Sequence, residues 1–435
     1  MIRRRHVPLV AAATSAVGAA ALVVALVVLP AGAPLPAGAV QLTSSVAPRS
    51  VKAGTTQERA VALAEQEFSL SLLEVASSSS PGSNVLVSPL SADVDLAMLE
   101  LGAGPSTASE IASTLRSSGL SPAEQAAAWS SAVSELLAAQ SDGELQLADS
   151  LWVSKLVSVE HGYLDSLAEN FDNDTYQVDF RNPAAVDAIN AWVAQQTADR
   201  ITKLFSPGDL PKDTELVLAN ALHFHAAWAS SIANAMKAAS VERLPFHASP
   251  GTTVDVPTIA ASEVSLKDAR GQGFTAAELP YTNGRFAAMM IEPTAGTMAT
   301  FLRSLTAAAL SSIVAALHPD VTNLSMPALN LSSNGSLDPV LKQMGLAPAY
   351  EHADLTPMFG PAIGANQMIG TVHQAVTLNV NQWGTDAAAA TGVSVLPGAA
   401  LLRNLTIDHP YVFLIRDTVT GTILFSAMVA NPSGR

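Results

Sequence analysis

The sequence contains no cysteine. That excludes disulfides, a thiol nucleophile, Cys-ligated zinc and a lipid anchor on an N-terminal cysteine. Whatever fold forms is held by packing alone. Charge is also scarce. Charged residues make up 14% of the chain against 49% hydrophobic, and 22 Lys and Arg face 37 Asp and Glu. The net charge of −15 argues against a nucleic-acid partner, because phosphate binding needs basic surface; the acidity reads as solubility. Catalytic signatures are missing too. No GxSxG, HExxH or Walker loop occurs, so the chain is not read as an enzyme. Gly271-Gln272-Gly273 is a turn, too short for a nucleotide fingerprint. His223-Phe224-His225 puts two imidazoles on one strand face. No third ligand is evident, so strand packing is the better reading, and no metal or cofactor is assigned.

The N-terminus stands apart from the body. Arg3, Arg4 and Arg5 precede an uncharged apolar stretch from Leu9 to Leu29, followed by Pro, Gly and Ala up to Ala39. This is an export signal. Ala31-Gly32-Ala33 and Ala37-Gly38-Ala39 are candidate cleavage sites, but the apolar run is also long enough to span a bilayer. Residues 1–39 are therefore a cleaved signal or an uncleaved anchor, and either places the body outside the cell or on its surface. Abundant Ala with little Lys fits a bacterial source of high GC content. Residues 40–57 read as a polar linker.

The body reads as one α+β unit, 58–433, with no internal repeat and no Pro/Gly-rich linker dividing it. Helical periodicity covers Glu58–Val75, Ser91–Leu101, Pro122–Gln140 and Ala184–Leu204. Strand composition covers Asn84–Val87, Leu145–Val153 and Glu215–Phe224. After Thr253 strands dominate, with Ala375–Val380, Tyr411–Ile415 and Thr422–Val429 among them. Between two late strands lies Trp383-Gly384-Thr385-Asp386-Ala387-Ala388-Ala389-Ala390-Thr391-Gly392-Val393. A surface loop normally carries Pro, Asn and charges; this one holds a single charge and mostly small side chains. On a strand register Thr385, Ala387, Ala389 and Thr391 share a face, and none is large enough to block entry into a packed sheet. Asp386 takes the opposite face, where it can stay in water.

Collinear motifs across 58–432 resemble the serpins, the serine protease inhibitor superfamily. Asn84-Val85-Leu86-Val87-Ser88-Pro89-Leu90-Ser91 is similar to NxxxSPxS. Val178-Asp179-Phe180, with Ile189-Asn190-Ala191-Trp192-Val193 and Thr197, matches VDF…INxWVxxxT. Leu216 to Phe224 with Trp228 matches LVLxNAxxF…W. Glu278-Leu279-Pro280-Tyr281 matches ELPY, and Pro410 to Asp417 matches PFxFxIRD. The resemblance implies a serpin fold of three β-sheets and eight or nine helices. It also implies that the small-residue segment is an exposed reactive-centre loop with its hinge at Gly384, Thr385, Asp386, Ala387, Ala388, Ala389, Ala390 and Thr391. A target protease cuts such a loop, which then inserts into the central sheet as a new strand and carries the acylated protease with it. Counting from Gly384 puts the scissile bond at Gly398-Ala399; counting back from Asp408 puts it at Ala399-Ala400. A small residue after Leu396-Pro397 suits elastase-like or subtilisin-like enzymes.

Ser88, Ser91, Asn220 and His373 match the family's buried polar cluster (the shutter) under the opening sheet, and Trp228 matches the tryptophan at the breach, where the loop enters. The implied partner is a serine protease held in a covalent acyl complex by a monomeric inhibitor. The alternative is a non-inhibitory serpin-fold binding or chaperone-like protein. Three departures favour that alternative. Gln382 and Trp383 replace the charges usual before the hinge glycine. Ala427 and Met428 replace the usual small-plus-Arg pair. The stretch from His373 to Gly384 is one residue longer than usual, as a bulge would make it.

Overall fold

The computed structural model describes residues 38–49, 55–138, 145–171, 174–197, 199–363, 367–387 and 402–434. The proposed signal up to 37, most of the small-residue segment (Ala388, Ala389, Ala390, Thr391) and the bait residues Gly398, Ala399 and Ala400 lie outside them.

Local chemistry sets the helix starts. Thr55 and Glu58 form a capping box, Glu58 N–H donating to Thr55 Oγ1 at 3.1 Å and Thr55 N–H to Glu58 Oε2 at 2.7 Å. The first helix therefore runs Thr56–Ser79, longer at both ends than its apolar period suggests. Ser121 and Glu124 do the same for Pro122–Ala138. The helix after Asn182 stops at Gln196, eight residues short of expectation, because Thr197 Oγ1 takes the Ile201 N–H and turns the chain. Among the described residues there are eleven α-helical segments. Asp338–Leu341 and Thr356–Phe359 are single turns, which leaves nine longer helices.

The strands form two hydrogen-bonded networks, of eight and nine strands. In the larger-numbered one, the long strand Thr252–Gly271 bends at Glu263 (φ +55°); on one edge it pairs with Ser240–Ser249 before the bend and Phe274–Pro280 after it, while His318–Pro327 follows it through the bend with a register shift between Thr322 and Leu324. Its two lobes and the eight-stranded sheet make three sheets, the number the resemblance implies. In the eight-stranded sheet the order is Val40–Leu42, Asp174–Val178, Leu145–Ser154, Leu216–Phe224 and Thr371–Asn381, with Leu329–Ser336 beyond. Residues 40–42 are thus not part of a free linker. The unpaired backbone of Asp174–Val178 takes them as an edge strand, Val40 opposite Gln177 and Leu42 opposite Thr175. Ser44 Oγ then donates to Asp165 Oδ1 (2.6 Å), and Arg49 pairs with Glu169 at 2.9 Å.

Both faces of the large sheet are covered. Outside it, Ala184–Gln196 packs Ile189, Trp192 and Val193 on Trp152, Tyr176, Val217, Ala219 and Ala221. Inside it lies the main core. This inner layer also holds carboxyls in an apolar setting: Glu65, Asp93, Asp95 and Glu100 are all buried. Burial pushes Glu65 and Glu100 up to about 8, and raises Asp93, Asp95 and Asp149 as well. At neutral pH these groups are neutral acids in the fold but ionise in the unfolded chain above about pH 4. Between the unfolded and folded values the unfolded chain binds fewer protons, so stability falls as pH rises through that window. The melting temperature is therefore expected to drop between about pH 5 and about pH 8. Asp95→Asn should flatten that slope and melt above the parent at the alkaline end in scanning fluorimetry.

Candidate functional site

The centre of the large sheet is a parallel seam. Thr371–Val376 pairs with Val217–Leu222, residue for residue, in parallel. Above Val376 the two strands part. Thr371–Asn381 turns back through Gln382 and Trp383, and Gly384–Thr385 lies in the gap as a two-residue strand. It pairs antiparallel on one side with Val380 and Asn381 and on the other with Ala226 and Ala227. Glycine is required at its first position. Gly384 has φ +149°, and a Cβ there would lie 2.1 Å from Ala226 O.

Trp228 closes the top of this gap. Its N–H donates to Trp383 O (3.1 Å) and its indole Nε1–H to Asn381 O (3.0 Å). Its ring stacks on Tyr281, 4.9 Å away and 8° from parallel. The Tyr281 hydroxyl is 2.6 Å from Thr385 Oγ1. Thr385 faces inward and is 1% exposed. Two hydrogen bonds from Trp228, one from its backbone N–H and one from its indole, therefore hold the turn that Gln382 and Trp383 form without a charged pair.

Below the gap, on the inner face, sits the polar layer. Ser88 and Ser91 hydroxyls are 3.1 Å apart, and Ser88 Oγ donates to Leu424 O (3.0 Å). Asn220 Nδ2 donates to Asp95 Oδ2 at 2.6 Å. His373 is not in this layer. It stands opposite Ala219 on the outer face, with Nε2 2.9 Å from Asn334 Oδ1 and its ring 4.3 Å from Phe205. The inward position next to Asn220 belongs to Gln374, which sequence reading missed. Gln374 Oε1 accepts from Ser88 N–H and its Nε2 donates to Ser88 O, both at 2.8 Å. Strand parity is the reason: neighbours in sequence point to opposite faces. Measured from Gln374 the stretch to Gly384 loses its extra residue. The expected bulge is accordingly absent, since pairing with Leu329–Ser336 runs unbroken from His373 to Val380.

The expectation for Asp386 also fails. Its side chain is 15% exposed and faces His223 and Arg200 rather than bulk water. The outer face is lined there by His223 and His225, the pair read from sequence as strand packing.

A family model described as "Serpin (serine protease inhibitor)" matches residues 63–432. Serpin-ZXA of Oryza sativa subsp. japonica is 31% identical over 81% of this chain and 91% of its own length. The chain is a serpin. Serpin A3-1 of Bos taurus is equally similar, 31% identical over 86% of this serpin and 89% of that one. Among solved structures, the thermophilic serpin Tengpin in its native state superposes with a TM-score of 0.80 at 21% identity, covering 90% of this chain and 99% of that one. Serpin48 of Tenebrio molitor gives 0.74 at 26% identity over 87% of this chain and 100% of its own. Membership sets this serpin with protease inhibitors rather than with enzymes.

The parity correction has a measurable consequence. Gln374→Ala strips two bonds from the buried Ser88 peptide groups and should cost about 2–4 kcal/mol, whereas the half-buried His373→Ala should cost below about 1 kcal/mol. Denaturant midpoints of the two variants test that order.

Proposed function

We propose that this serpin is a suicide-substrate inhibitor of serine proteases, with 384–391 as hinge and the bond at Gly398-Ala399 or Ala399-Ala400 as bait for an elastase-like or subtilisin-like enzyme. It works as an exported monomer, reaching its target outside the cell. The observation that carries this reading is the two-residue strand Gly384–Thr385 lodged between the parted strands. It already has the orientation that full insertion needs. A parallel ladder is slightly weaker per residue than an antiparallel one. Inserting the segment replaces one parallel seam by two antiparallel ones, so every added residue gains pairing on both sides. On insertion Thr385 and Ala387 would point inward, and both are small enough to enter without a buried charge, which would cost several kcal/mol.

The test is a gel. Mixed with pancreatic elastase or subtilisin, the parent is expected to form an SDS-stable complex of summed mass, and the cleaved protein to melt well above the intact one. Thr385→Arg should be clipped at the same bond without forming the complex. A parent that is only clipped, with no gain in thermal stability, would rule this function out.

A further inference from the structure

Asp386 is where the chain leaves the gap. Thr385 pairs with Val380 and Ala226, so one more step of the same register would set Asp386 between Asn379 and His225. Its N–H does reach Asn379 O, at 2.8 Å. The backbone then swings out through a left-handed conformation, φ +48°, which Asp tolerates better than most residues. Contacts on the outer face hold it there. Its carbonyl oxygen is 2.6 Å from His225 Nδ1, which must carry the proton of that bond. Its carboxylate lies 3.5 Å from His223 Nδ1 and 3.7 Å from Arg200 Nη1. His223 is 4% exposed and its Nδ1 makes no hydrogen bond. Burial and Arg200 lower His223 to about 4, so near neutral pH its ring is uncharged. Burial raises Asp386, and Arg200 and then His225 oppose that rise. The cation that serves this carboxylate is Arg200, reached from the turn beyond Ala184–Gln196.

We propose that His225, with Arg200, latches Asp386 and so fixes the resting depth of the hinge at two inserted residues. His225 is a positioning residue: it acts on the loop through the Asp386 carbonyl. The latch is a property of the free protein; its consequence for trapping rests on the inhibitory reading above. A hinge already seated starts insertion without first having to find the gap. Loss of the latch lets Gly384 and Thr385 leave it.

The absence of cysteine allows a single reporter, Ala387→Cys, just beyond the latch. In full-length protein without protease, its rate of modification by a water-soluble maleimide reads how often the hinge is released. Adding His225→Ala is expected to raise that rate roughly three- to tenfold, the factor given by one hydrogen bond of ordinary strength, and Asp386→Ala, which keeps the carbonyl and loses only the ion pair with Arg200, to raise it less. His225→Gln retains an N–H donor and should stay near the parent. Unchanged rates in both alanine variants, or an equal rise in His225→Gln, would overturn the latch. Should His225→Ala fail to fold, Arg200→Ala at its exposed site carries the same test, with a raised rate expected and an unchanged one counting against the latch. Because no protease is present, these rates stand or fall separately from the trapping assay.

Discussion

The pairing of Val217–Leu222 with Thr371–Val376 is the constraint on which the rest of this molecule depends. Two strands running the same way leave room between them for one running the other way. The chain supplies that strand from its own continuation, because the turn at Gln382 and Trp383 reverses Thr371–Asn381 directly into the gap. Trp228 fastens the turn, Tyr281 receives Thr385, and Gly384 permits the close approach to Ala226. Each is a local solution to the same geometric problem, that of holding a sheet open at one end and shut at the other.

The inner face of the seam holds polar groups with no ion pair among them. Ser88, Ser91, Gln374, Asn220 and Asp95 bond to one another or to backbone. Burial raises the carboxyls beneath towards the neutral form. Ion pairs do occur elsewhere, in the second network. Glu278 and Arg416 meet at 2.6 Å, and Asp417 binds Arg285 at 2.9 Å while capping the Val419 and Thr420 amides. The second network carries these buried ion pairs, and the inner face of the parallel seam carries hydroxyls, amides and buried acids.

Much of this was legible in the sequence because motif residues are the ones whose polar groups are buried and bonded. Asn190 takes the Leu204 and Phe205 amides, Asn84 takes those of Ala430 and Asn431, and Glu278 finds Arg416. Reading failed where position depends on tertiary contact. His373 and Gln374 differ by one step of parity, which no motif encodes. Asp386 looked solvated because the side chains that cover it come from distant segments. The helices Pro105–Thr114 and His161–Asn170 went unread, since small and polar residues blur their period. Val40–Leu42 looked like linker because three residues carry too little pattern to announce a strand.

That short first strand bears on self-association. An unpaired edge strand is a template for pairing with neighbouring copies. Val40–Leu42 occupies the rim beside Asp174–Val178, is only three residues long, and is strapped down by Ser44 and Arg49. At this rim another copy would find only a three-residue ladder to extend, whereas the opposite rim, Leu329–Ser336, is eight residues long.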